Sequence, residues 1–78
     1  MDLGAESTAF LIDEVVDEYY RATSLHGSFN STHEGYAVIK EELDELWDEV
    51  KKNGSRKDLR AEAIQVAAMA IRFCTDLT

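Results

Sequence analysis

The chain contains no proline, one cysteine and four glycines, and it has half as many basic as acidic residues. Without proline, nothing interrupts a helix from inside. With Cys74 alone, no disulfide can staple the chain to itself. That cysteine stands in an apolar run, which predicts a buried thiol and a reducing compartment. No stretch approaches the ~20 apolar residues of a membrane helix, and the opening MDLGAEST lacks the basic and apolar regions of a secretory signal. The expectation is a soluble cytoplasmic protein with no membrane partner. The formal net charge of −8 excludes the clustered basic surface that a nucleic acid duplex needs. It does not exclude a nucleotide held through a bound cation.

What is present is mostly helix-forming. Ala, Glu and Leu are abundant, and apolar residues recur at three- and four-residue steps, which predicts an all-α fold. Seventy-eight residues make a single domain over 1–78. A chain of this length buries only about 60–65% of its unfolded surface. The expected architecture is therefore three main helices in a bundle completed by oligomerisation.

The first helix is expected from about Ala5 to Ser24, with Thr8, Leu11, Ile12, Val15, Val16, Tyr19 and Thr23 on one face and Asp13, Glu14, Asp17 and Glu18 mainly elsewhere. LHGSFNST then reads as a loop. Ser31 is placed as the N-cap of the second helix, with Glu34 three residues on in a capping box. The apolar seam of that helix is Tyr36, Ile39, Leu43, Leu46, Trp47 and Val50, with Trp47 as core. Lys51 and Lys52 suit its negative end, and Asn53–Gly54 stops it. Ser55 caps the third helix, which continues to about Asp76. Apart from Glu62, Gln65 and Arg72, its stretch from Ala61 to Cys74 is nearly all apolar or small, so neighbours should enclose it.

The acids are unevenly placed. KEELDELWDEV, Lys40 to Val50, carries six of them in eleven residues. At roughly 100° per residue, Val38, Glu42, Glu45 and Glu49 form one stripe beside the apolar seam, whereas Asp44 and Asp48 fall on other sides. Glu42 and Glu45, at i,i+3, can converge on one ion. On the third helix, Glu62 projects among Leu59, Val66, Met69 and Phe73, with Gln65 on the same flank. A carboxylate on an apolar face must find a partner or change its protonation state. Lys40 or Arg72 would serve as such a partner; the alternative is a divalent cation shared with Glu42 and Glu45. An oxygen-only donor set suits magnesium and, without a His/Cys cluster, does not suit zinc.

At these residues the sequence resembles the MazG-like, all-α nucleoside triphosphate pyrophosphohydrolases. That family carries an EExxE motif on one helix and an ExxD motif on a later one. EELDE, Glu41 to Glu45, matches the first in full. EAIQ, Glu62 to Gln65, matches the second except at its last position. The preceding HGSFNSTHEGYAVI is similar to the lead-in of small, phage-type members, so the likeness covers roughly Leu25 to Leu77. The resemblance implies hydrolysis of a nucleoside triphosphate to monophosphate and pyrophosphate with Mg2+. It places metal on Glu42, Glu45 and Glu62, with Gln65 in the fourth position, and implies a homodimer or homotetramer. Glu41 or Glu45 would accept the proton of the attacking water.

Phe29, Asn30, His33 and Lys40 are the expected substrate contacts. Phe29 and Asn30 would meet the base; His33 lies at the positive end of the second helix, and Lys40 would meet a phosphate. Lys51, Lys52, Arg56, Lys57 and Arg60 are further basic residues that suit either phosphate or solvent. Two other readings remain open: a nucleotide-binding module with little turnover, and a structural helical oligomer whose acids are solvated.

Overall fold

The computed structural model describes residues 3–78, with side chains from residue 8 onward. Met1, Asp2 and the side chains of the next five residues, within the MDLGAEST opening, lie outside the described residues. The chain is all-helical. Helices α1 (Leu3–His26), α2 (Thr32–Lys51) and α3 (Arg56–Leu77) follow one another through short turns, with no strand among the described residues. No described helix is long and apolar enough to cross a membrane.

α1 exceeds the expected Ala5 to Ser24 at both ends. Leu25 and His26 stay helical because the first residue that ends the helix is Gly27. Its φ of 70° is the left-handed conformation that glycine adopts without strain, and its N–H closes on the Thr23 carbonyl at 2.9 Å. α2 begins as expected, Ser31 Oγ accepting the Glu34 N–H at 3.1 Å. Glu34 reaches one residue further back than a capping box requires and takes the Asn30 N–H at 3.0 Å. Ser55 caps α3 in the same manner, accepting the Asp58 N–H at 3.1 Å.

α3 is the central element. α1 and α2 each lie along it, and among the described residues their backbones are not in contact with each other. α2 comes close because residue 35 has no side chain. A Cβ on Gly35 would stand 2.7 Å from Phe73 Cδ2 and 2.9 Å from Leu77 Cδ1. With the outer helices separated, a cleft opens between them over α3. The radius of gyration, 13.5 Å, exceeds the roughly 11.5 Å usual for a compact chain of this length.

So open an arrangement buries little. Ala22, Phe29, Ala68 and Met69 are buried, with Val15, Tyr19, Val38, Ile39, Phe73 and Leu77 packed around them. Of the expected α2 seam only Ile39 and Leu46 are half-buried. Tyr36, Leu43, Trp47 and Val50 are exposed, Trp47 by 56%, so Trp47 is not core. Ile12 and Val16 of the expected α1 face are exposed as well. A single central helix can cover only one strip of each neighbour, and on α2 that strip includes Val38, Glu42 and Glu49. The acidic stripe beside the seam thus turns inward, and four of the six seam residues turn out. Cys74 is exposed, which overturns the expected buried thiol: it lies on the side of α3 that neither neighbour covers.

Candidate functional site: three glutamates in the cleft

The inward rotation of α2 puts Glu42 and Glu45 opposite Glu62 of α3. One carboxylate oxygen from each lies within 4.8 Å of the other two. Three like charges at that separation repel strongly wherever water is partly excluded. Burial, then the Glu45 and Glu62 carboxylates, push Glu42 up to about 7. Burial, then Glu45, raises Glu62. Glu62 Oε2 is fully buried and has no hydrogen-bond partner.

Neither of the neutralising partners expected for Glu62 is in place. Lys40 turns outward to Asp44, at 3.2 Å. Arg72 is buried, and its guanidinium goes to the Gly27 carbonyl at 2.7 Å. Arg21, nearby on α1, is committed to Glu18 through contacts of 2.8 and 2.6 Å. The ion pairs among the described residues leave Glu42, Glu45 and Glu62 out. An all-oxygen donor set, a buried oxygen with no donor, and mutual repulsion fit a hard divalent cation and leave protonation as the alternative.

The three glutamates form part of the wall of a cavity of about 470 Å³ in the cleft, within the range of small-molecule sites. Glu41, Gln65 and Phe29 also line it. Gln65 also lies beside Glu18, where, after the larger effect of Arg21, it helps keep the Glu18 carboxyl below its usual range. Asn30, His33 and Lys40 are not part of this wall. Asn30 donates its side-chain amide to Glu34 at 3.2 Å, and His33 is exposed on the first turn of α2. Among the five basic residues from Lys51 to Arg60, Lys57 and Arg60 instead border a shallower groove between α1 and α3. There Arg60 grips Glu14 through contacts of 2.9 and 2.8 Å.

Among the cavity-wall residues that sequence reasoning did not assign to the site are the charged Glu18, Arg21 and Arg72. Glu18 was expected to point elsewhere; it faces the cleft because α1 packs on α3 through Val15, Tyr19 and Ala22, with Glu18 beside them. The available signal was the Glu18–Arg21 pair at i,i+3 beside an apolar strip. No protein-family model, curated protein or solved structure matches the chain.

Proposed function

We propose that the chain is a magnesium-dependent nucleoside triphosphate pyrophosphohydrolase of the MazG-like kind, acting in the cytoplasm as a homodimer or homotetramer. The observation that supports this most is the convergence of three carboxylates from two helices on a cleft, with one buried oxygen unpaired and no ion pair to any of the three among the described residues. The EELDE and EAIQ motifs supply those same residues.

Magnesium, when bound, supplies positive charge that neutralises phosphate oxygens and makes water more acidic. Glu42, Glu45 and Glu62 would hold it, and the Gln65 amide oxygen would be the fourth protein donor that the motif implies. The oxygen of the attacking water bonds to the α-phosphorus, the bond from that phosphorus to the bridging oxygen breaks, and pyrophosphate leaves. Glu41, on the cavity wall but outside the three-oxygen cluster, takes the water's proton, with Glu45 as the other acceptor within the motif. The test is to incubate the purified chain with canonical and deoxynucleoside triphosphates, with and without magnesium. Equimolar monophosphate and pyrophosphate, formed only with magnesium, is the expected result. No binding and no turnover would leave the structural oligomer.

One observation favours a second reading, a nucleotide-binding module with little turnover. Gln65 brings no charge to the cluster and stands close enough to Glu18 to help lower its carboxyl. Magnesium-dependent nucleotide binding without product release in the same assay would select that reading.

Self-association rests on the uncovered apolar surface. The chain exposes 5578 Å², about 800 Å² more than a compact monomer of its mass presents. Tyr36, Leu43, Trp47 and Val50 line up along one side of α2, and a second copy of the chain is the occupant assigned to them. Because buried tryptophans dominate interface energies, Trp47→Glu should raise the dimer dissociation constant at least about tenfold. Sedimentation across a dilution series checks this; a parent chain that is monomeric throughout would refute it.

A further inference from the structure

Arg72 is the most deeply buried charged residue among the described side chains, 3% exposed, and it has no carboxylate within ion-pair distance. A buried cation without a counter-charge is costly, so its retained contacts are informative. Its guanidinium lies over the Phe29 ring, 4.2 Å from the ring centre. One terminal nitrogen donates to the Gly27 carbonyl at 2.7 Å and the other to the Met69 sulfur at 3.2 Å, while the buried Nε–H has no acceptor. Of the five N–H donors of an arginine, only two are used. The loop that holds it is fixed in turn, since the Phe29 N–H donates to Asp76 at 3.0 Å.

Arg72 and Glu62 line the same cavity, and ten residues of helix set them about 15 Å apart along α3. That separation is longer than a triphosphate chain. A ligand anchored by its phosphates at the three glutamates would therefore bring its other end to Arg72. There it meets an aromatic ring, a thioether, and a flat cation that can only donate hydrogen bonds.

We propose that Arg72 is a specificity-determining residue that reads the carbonyl edge of a keto-bearing nucleobase at the end of the cleft remote from the glutamates. This rests on the metal–triphosphate reading of that cluster. A guanidinium matches the paired acceptors of guanine or the carbonyl oxygens of uracil and thymine. The amino group of adenine would set donor against donor and leave a buried donor unpaired, the arrangement that discriminates most strongly between ligands. Phe29 acts here as the platform that orients the guanidinium.

The test compares the binding of GTP, UTP, ATP and inorganic triphosphate, each with magnesium, to the full chain. GTP and UTP are expected to bind at least about tenfold more tightly than ATP. Arg72→Met, which preserves length and apolar packing, should abolish that preference while leaving inorganic triphosphate affinity unchanged. Equal affinity of the parent chain for GTP, UTP and ATP overturns the proposal, and this readout stands even if the variant does not fold. Equal losses for inorganic triphosphate and the nucleotides in Arg72→Met would make Arg72 a phosphate ligand and also overturn it. Failure of the parent chain to bind inorganic triphosphate with magnesium is a different result: it removes the metal–triphosphate reading itself, and this proposal with it.

Discussion

Glu62→Gln is expected to cut magnesium-dependent pyrophosphate release at least about 100-fold, because loss of even an indirect support of a metal site costs 10–100-fold and this change removes a ligand charge. In the absence of magnesium, the same substitution should leave the thermal midpoint unchanged or raise it. The opposite signs are the informative part. Glu62 carries a buried oxygen without a partner and stands against Glu42 and Glu45, with no ion pair of its own among the described residues. An amide of the same shape relieves that repulsion and brings a donor that Glu45 can accept. A glutamate that merely supported the fold would behave in the reverse manner, with its loss lowering the midpoint. Asp44→Asn is the matched control. Asp44 lies on the same helix but faces outward to Lys40 at 3.2 Å, so it should change neither quantity appreciably. Steady-state pyrophosphate release and thermal unfolding of the three proteins check both halves.

The fold class was legible in the sequence because its signals are local. Ser31 and Ser55 cap as their spacing to Glu34 and Asp58 implies, and Gly27 and Asn53–Gly54 turn the chain where helical periodicity stops. The rotation of each helix was not legible. On α2 the apolar seam spans more of the circumference than α3 can cover, and the observed strip takes in Val38, Ile39, Glu42 and Leu46 but leaves Trp47 outside. Single-helix periodicity ranks faces by hydrophobicity, yet packing is settled by close approach. The Gly35 notch against Phe73 and Leu77 fixes which side of α2 meets α3. That rotation brings the acidic stripe inward, so the three-glutamate convergence followed from the i,i+3 spacing and from Glu62 sitting on an apolar face. The contribution of α1 did not follow, because Glu18 and Arg21 resemble any surface ion pair until their helix is placed. Nor did the exposed Cys74: an apolar run predicts burial only when neighbours exist on every side.

Removing or supplying the cation should move stability more at high pH than at low pH. Glu42 is raised from 4.5 to about 7 in the folded chain. A group with a raised folded pKa stabilises the fold below its unfolded value and loses that contribution as pH climbs through the folded one. Glu62 is raised in the same sense. Glu14 and Glu18 are lowered, by Arg60 and Arg21 respectively; their contribution is already complete above the ordinary carboxylate range, so it does not vary between pH 5.5 and 8. In that window, the glutamate cluster makes the metal-free chain less stable as pH rises. The Glu42 shift would be worth about 3 kcal/mol in a dry site. Water in the open cleft screens it to about 1 kcal/mol, or about 4–8 °C in the midpoint of a domain this size. Magnesium at about a hundred times its dissociation constant should add about 2.7 kcal/mol at pH 8. It should add little at pH 5.5, where protons already occupy the site.

Thermal unfolding with and without magnesium at those two pH values therefore bears most directly on whether the three carboxylates form a cation site. The expected result is a midpoint at pH 8 that is low without magnesium and rises by about 10–20 °C with it, against a small change at pH 5.5. A midpoint at pH 8 that does not respond to magnesium, or that already exceeds the pH 5.5 value without it, would contradict the account.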